Sequence, residues 1–537
     1  MAHADTFDLV ILGAGSAGCV LANRLSADSS RRVLVLEAGP ENRRLWTRIP
    51  AGVPKVMSDP SISWEYKTEP EPGLQGRRLN WPRGRLVGGT SCINGHVYMR
   101  GTPEDYDGWR DAGNPGWGWD DVLPHFKGTE CHFGGESDLH GASGELHVSP
   151  LQEPHAASQA FVAAAQARGI PLNDDFNGLQ QEGVGFLQLM IHHGVRAATS
   201  DTFLRPVRQR ANLEVRTEAL VERIVLEQRR VVGVEYRQLG VTHRIHTRQV
   251  IVAGGAINSP QLLMLSGIGP GEHLRARGID VHHDLPGVGH NLHDHVYVHC
   301  LVGVDSTFSI NPQIANPVRM IPEVLRYAFT RRGLLNSAAA QVGLFTRSGV
   351  SPRVDLQIQM RPFSMLGSGG MYRADPAPAV TSSIGLLHPH SRGTITLASN
   401  RPDQAPLIQA NYLVDPRDVE PLVRGLRLVR EIFNTPPFRD HLEAELMPAP
   451  ALQTDKQLID YIRAQAQSMY HPVGTCRMGR DPLAVVDERL RVHGIEGLRV
   501  ADASIMPTVP SGNTNAPSIM VGDKAAILFM EDQRALS

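Results

Sequence analysis

Three glycines, Gly13, Gly15 and Gly18, stand directly after a short apolar run at residues 7–12 and open a stretch of helical spacing at 19–25. In that setting the first glycine makes a tight turn, the second lets the backbone approach a pyrophosphate, and the third lets helix and strand pack closely. Unpaired N–H groups at the start of the helix, near Ser16, then face the phosphates. Glu37 lies nineteen residues past Gly18 at the end of a second apolar run, with Ala38 beside it. A carboxylate there is placed to accept from ribose hydroxyls, and its charge disfavours the extra phosphate of NADP. The chemistry implied is dinucleotide binding; the motif alone leaves NAD and FAD open.

The elements that must hold these groups follow from the hydrophobic pattern. Residues 7–12 and 32–37 read as buried strands around the helix, a βαβ start. Residues 40–82 are rich in Pro and Trp and read as an excursion of short elements. Residues 109–126 look helical at both ends and are broken by Gly and Pro. Two β-like runs surround Val221 and Val231, residues 248–253 form a strand leading into a Gly-Gly turn, and 259–265 a helix. Beyond 307 come a helix near 321–329, strands at 356–360 and 394–397, and a loose stretch at 363–380. Strand then helix returns at 498–502 and 516–530.

At 537 residues the chain exceeds one compact core, so two or three interleaved domains are expected. A net charge of −2 without like-charge blocks lacks the basic footprint of a nucleic-acid binder. Five cysteines without a CxxC pair read as scattered thiols in a reducing cytosol. The first residues carry no basic region before the apolar run, and no stretch of about 18 apolar residues occurs, so neither a signal peptide nor a membrane span is expected. The expected location is cytoplasmic, with peripheral contact on the inner face of the membrane left open. Histidines cluster at His282, His283, His290, His293, His295 and His299, but without the compact matched spacing of a zinc site, so no metal is expected.

Four further blocks carry a resemblance. They are Gly84-Arg-Leu-Val87-Gly88-Gly89-Thr90-Ser91-Cys-Ile-Asn94-Gly; Gly255-Ala-Ile-Asn-Ser259-Pro260 through Ser266-Gly267-Ile-Gly269; Tyr470-His471-Pro472-Val-Gly474-Thr-Cys-Arg-Met-Gly479; and Leu498-Arg-Val-Ala-Asp502 through Pro507, followed by Gly512-Asn513-Thr-Asn515-Ala-Pro517. Taken in order from about residue 7 to residue 530, the chain resembles the glucose–methanol–choline (GMC) oxidoreductases, nearest to their bacterial FAD-dependent alcohol and choline dehydrogenases. The resemblance implies an α/β (α+β overall) fold. A Rossmann-type FAD-binding domain would be built from residues 1–155, 201–306 and 466–537. An inserted substrate domain, with an antiparallel sheet flanked by helices, would come from 156–200 and 307–465.

It also implies residue roles. Val87, Gly89 and Asn94 would approach the flavin, Val221 the adenine, and Asp502 with Ala503 the ribityl or phosphate region. The helix opening at Ala516 would point its dipole at the flavin edge that becomes anionic on reduction. His471 would be the base that takes the hydroxyl proton while hydride leaves for flavin N5. Asn515 would hold the substrate oxygen beside it, with Met469 close by. Some relatives attach FAD through a histidine where this chain has Ile93, so FAD is expected to be non-covalent. His96 either borders the active site or is a packed, hydrogen-bonded histidine. Choline-specific relatives place a Glu where Gln341 stands, which argues for an uncharged aliphatic or aryl alcohol oxidised to an aldehyde. The electron acceptor is a quinone-type molecule or O₂. A hydroxynitrile lyase on the same fold and a choline dehydrogenase are the alternatives.

Overall fold

A computed structural model describes residues 6–338, 340–367 and 373–536. Part of the loose stretch at 363–380 therefore lies outside the described residues.

Two sheets organise the molecule. The first is parallel, in the order Leu213–Arg216, Val33–Leu36, Leu9–Leu12, Val250–Val252, Leu498–Val500. Its inner strands are buried along their whole length, which is why they read as continuous apolar runs rather than alternating ones. The helix Ser16–Leu25 follows the first strand and packs against the C-terminal helix Asn515–Leu536, so chain start and chain end share one layer. A three-stranded antiparallel ribbon, Ala219–Glu227, Arg230–Gln238 and Val241–His246, stands beside this sheet.

The second sheet is antiparallel and runs Leu442–Met447, Val296–Val304, Ala379–Leu386, Leu356–Arg361, Val342–Thr346, Gly183–Phe186; Gln467–Ser468 pairs with one end of Val296–Val304. Side chains alternate between its two faces, with register shifts only where Leu442–Met447 pairs with Val296–Val304. Even-numbered side chains such as Ile384 and Leu356 pack on the helix Val419–Phe433, where Gly425 lets the backbones approach. Odd-numbered side chains on three of the strands line a cavity between the two sheets.

One expected boundary moves. The long strand Val296–Val304 belongs to the second sheet, although it lies within the 201–306 stretch expected in the nucleotide-binding unit. Its sequence, VYVHCLVGV, is apolar on both faces, so the alternation that marks a sheet strand is masked. The helices Ala156–Ala167, Val419–Phe433 and Asp455–Gln465 are likewise elements the pattern reading did not resolve.

Candidate active site

The cavity measures about 1070 Å³ and runs from Glu37, Ala38 and Val221 at one end to His471 and Asn513 at the other. Glycine turns form its floor. Gly13 has φ +107° and a Cβ there would meet the Ala253 carbonyl oxygen at 2.5 Å; one on Gly18 would meet the Gly13 oxygen at 2.0 Å. Gly15, by contrast, has open space where its side chain would be, so the backbone is bare to the cavity. Gly89, with φ +53°, crosses Gly15 so closely that a Cβ would sit 2.8 Å from its Cα. Two helices start here: Ser16 Oγ donates to Asn515 Oδ1 at 2.6 Å, tying together the N-termini of Ser16–Leu25 and Asn515–Leu536. Their free N–H groups make this end electropositive.

The carboxylates at this end are held by backbone. Glu37 accepts from the N–H groups of Ala14 and Gly39, each at 2.9 Å; burial pushes its carboxyl up to about 6 against the pull of those donors. Asp502 accepts from Gly255 N at 2.8 Å, Ser259 Oγ at 2.5 Å and Ser504 N at 2.8 Å, and so pins the start of the helix Gly255–Leu265. Ala503 and Asn94 also line the cavity. Asn94 Oδ1 accepts from His96 N at 3.0 Å and Arg196 Nη1 at 2.8 Å. A cavity edged by bare glycine backbone, two helix N-termini and a fixed ribose-facing carboxylate suits a flavin dinucleotide. Ile93 offers it no nucleophile.

At the other end His471 is buried, and its orientation is set by a chain of hydrogen bonds. His295 Nε2 lies 3.0 Å from the Leu387 carbonyl oxygen, an acceptor only, so that nitrogen carries the hydrogen. Burial, with His388 nearby, lowers the His295 pKa to about 3, so the ring is neutral and its Nδ1 accepts. His471 Nδ1, at 3.0 Å, therefore donates to it, and His471 Nε2 keeps its lone pair. Asn513 Nδ2 donates to that Nε2 at 3.1 Å. Burial first, then the neighbouring His295 and Arg83, hold the His471 imidazolium well below the usual histidine range. The backbone on either side is fastened too. Asp294 Oδ1 accepts from His471 N at 2.7 Å, and Arg83 donates to the Tyr470 carbonyl at 2.8 Å. Tyr470 itself sits at φ +64°, a conformation these contacts enforce. The arrangement presents an uncharged base to the cavity.

Several expectations change here. Asn515 does not meet His471; its side chain bonds Ser16 and the Met190 sulfur, and Asn513, two residues earlier, occupies the position beside the imidazole. Gln341 does not line the cavity. Its Oε1 accepts from His155 N at 3.0 Å and Ser158 Oγ at 2.7 Å, its Nε2 donates to Ser337 Oγ at 3.0 Å, and it fastens the helix Ala156–Ala167 to the sheet. The charge argument built on it falls. Val87, Gly18 and Ala516 also lie behind the cavity wall: Val87 is core, with its N–H on Pro40, Gly18 serves packing, and Ala516 is buried in the second position of its helix. Met469 and His96 do line it. Neither His96 ring nitrogen has a partner among the described residues, so of its two readings the packed, hydrogen-bonded one does not hold. His295 stands in the sequence only as one of a cluster of histidines without zinc spacing, and nothing in its local sequence distinguishes it from its neighbours.

Among the described residues, Glu130, His132 and His140 are close enough to hold a metal ion. Glu130 is already paired with Arg100, and His140 bridges Glu130 and Asp175. None of the histidines at 282–299 belongs to that group.

Models of the GMC oxidoreductase family match residues 7–297 and 389–522. An alcohol dehydrogenase [acceptor] from Pseudomonas putida is 42% identical over 529 residues, covering 98% of this chain and 96% of that protein. A mitochondrial choline dehydrogenase from Mus musculus is 42% identical over 534 residues, covering 97% and 89%. Among solved structures, pyridoxine 4-oxidase from Mesorbium loti superposes with TM-score 0.89 at 32% identity, covering 98% and 99% of the two chains. A point variant of a formate oxidase from Aspergillus oryzae RIB40 reaches TM-score 0.92 at 25% identity, with full coverage of both. No helix among the described residues is long and apolar enough to cross a membrane.

Proposed function

The chain belongs to the GMC oxidoreductase family, an FAD-dependent enzyme acting on CH–OH donors, and we propose that it oxidises a primary alcohol to an aldehyde with His471 as the base. The observation that carries this reading is the hydrogen-bond chain from Leu387 through His295 to His471, which leaves Nε2 unprotonated and facing the cavity. When bound, FAD supplies the hydride acceptor, N5. His471 Nε2 takes the hydroxyl proton, so the alcohol loses one proton to the protein and one hydride to the cofactor. Asn513, whose amide already reaches Nε2, orients the substrate oxygen between them. Burial, then His295 and Arg83, disfavour the His471 imidazolium, which favours the ring meeting the alcohol in its neutral form. FAD is held non-covalently, since Ile93 stands where a histidine link would form.

A quinone-type acceptor is favoured by the rim of the cavity. The helix Pro317–Thr330 contributes Met320 to the lining and exposes Val318, Ile321, Val324, Leu325 and Phe329, the last at 85%. Arg319, Arg331 and Arg332 flank this segment, Arg326 is paired with Glu153, and Glu323 is the one acid within the helix. An apolar face with basic flanks suits peripheral contact with an anionic bilayer, where lipophilic acceptors reside.

Anaerobic mixing with a panel of alcohols, followed by flavin absorbance, tests the reaction: at least one alcohol bleaches the flavin. A lyase on this fold would leave it oxidised throughout. Sedimentation with anionic vesicles tests the acceptor side, and binding lost in Phe329→Asp would support it.

A further inference from the structure

The wall of the cavity beyond His471 is built from the second sheet, and strand register sets its side chains in rows. Gln357 lies opposite Gly385, which lies opposite Tyr297; the next row is Gln359, Ser383 and His299; the next is Arg361, Thr381 and Leu301. The first row touches the base: Gln357 Nε2 donates to Asn513 Oδ1 at 3.3 Å, and Asn513 reaches His471. The second and third rows line the cavity.

Those two rows carry donors without acceptors. Arg361 Nη2 donates to Ser383 Oγ, which also pairs with His299 Nδ1 at 3.0 Å. The His299 imidazolium is disfavoured by burial and then by Arg361. Arg361 Nε and Gln359 Nε2 are buried with no partner among the described residues. Arg361 forms no ion pair with any described residue. The carboxylates among the described lining residues are Glu37 and Asp502, both at the nucleotide end and both taken up by backbone donors. The half-buried Arg361 guanidinium thus stands on the cavity wall with no counter-charge among the described residues.

We infer that the substrate is an alcohol carrying a carboxylate at its far end, an ω-hydroxy acid, with the carboxylate bound by Arg361, Gln359 and His299. Planar guanidinium and carboxylate match in a two-bond geometry, and the neighbouring amide and imidazole donors fill the remaining lone pairs. Four residues of strand separate the row that touches the base from Arg361, roughly 14 Å between Cα atoms. With the side chain leaning back, the hydroxyl and carboxylate ends lie on the order of 10 Å apart. The substrate is therefore a chain of medium length. The same charge disfavours a quaternary ammonium alcohol, which replaces the argument lost with Gln341.

This inference rests on the alcohol-oxidising reading, and two measurements on the FAD-loaded enzyme separate them. In the first, flavin reduction is compared for ω-hydroxy acids of rising chain length, their methyl esters and the n-alkanols of equal length. The acid is expected to be preferred at least about tenfold in kcat/KM at the best length. The acid-to-alkanol ratio should fall by about ten- to a hundredfold in Arg361→Gln, less in Arg361→Lys, and by a smaller factor in Gln359→Leu. In the second, titration with simple alkanoates, which have no hydroxyl to oxidise, is read by calorimetry; binding is expected in the wild type and lost in Arg361→Gln. Equal or better turnover of esters and alkanols, or a ratio unmoved by Arg361→Gln and Gln359→Leu, would overturn the inference. Alkanoate binding without reduction by any alcohol would instead sink the proposed reaction and leave the anion site standing.

Discussion

The two ends of the cavity bind by different means. At the nucleotide end, backbone does the work: glycine turns lie bare, helix N-termini converge, and the two carboxylates are each locked by N–H donors before any ligand arrives. At the substrate end, side chains do it, projecting at alternate positions from three strands, with donors on Arg361 and Gln359 left unmatched. His471 stands at the junction, fastened from both sides. A backbone cradle is rigid and suits a resident cofactor. A side-chain wall can be changed one residue at a time, which is how one fold serves relatives whose names include alcohol, choline and pyridoxine.

The contrast can be broken at the junction first. His471→Ala should slow anaerobic flavin reduction by about 10²–10⁴-fold while FAD stays bound, read as rate against retained flavin absorbance. An unchanged rate would remove His471 as the base. The cradle comes next. Gly89→Ala forces φ +53° on a side chain that would press on Gly15, so FAD retention on dilution should weaken by about ten- to a hundredfold.

The bond behind the base is subtler. His295→Ala removes the acceptor that holds the His471 hydrogen on Nδ1, and rate should fall by roughly tenfold or more. In the wild type, protonation of His471 lies well below the ordinary histidine range, so reduction should be flat near neutrality and drop only in acid. Loss of the His295 ring removes one of the influences that lower that pKa, and the acid limb should move upward. A merely structural role for His295 would reduce rate and leave the limb in place. The smallest effect belongs to Gln341→Glu: with the side chain outside the cavity, the ratio of choline to alkanol turnover should stay within about twofold. A large gain of choline activity would restore Gln341 to the substrate wall.

How far the sequence could be read follows the same division. The run of Gly13, Gly15, Gly18 and Glu37 is contiguous, and each residue's job is set by its neighbours in the chain, so both motif and parallel strands were legible. Asn515 was taken for Asn513 because two asparagines flank one threonine and a helix start cannot be placed to within two residues from pattern alone. Gln341 misled because a strand buried on both faces hides its phase, and a shift of one residue turns a side chain from the cavity to the core. Val296–Val304 was passed over for the same reason.

By itself, then, the sequence determined the dinucleotide motif and the order of the blocks, because those depend on turns, caps and short-range spacing; the role of His471 came from the resemblance those blocks carry. Only the tertiary structure decided that Asn513 and His295 flank His471, that Gln341 is framework, and that Arg361 lines the cavity. Each of those facts depends on which residues lie opposite one another across strands or loops far apart in the chain, and no local pattern encodes that register.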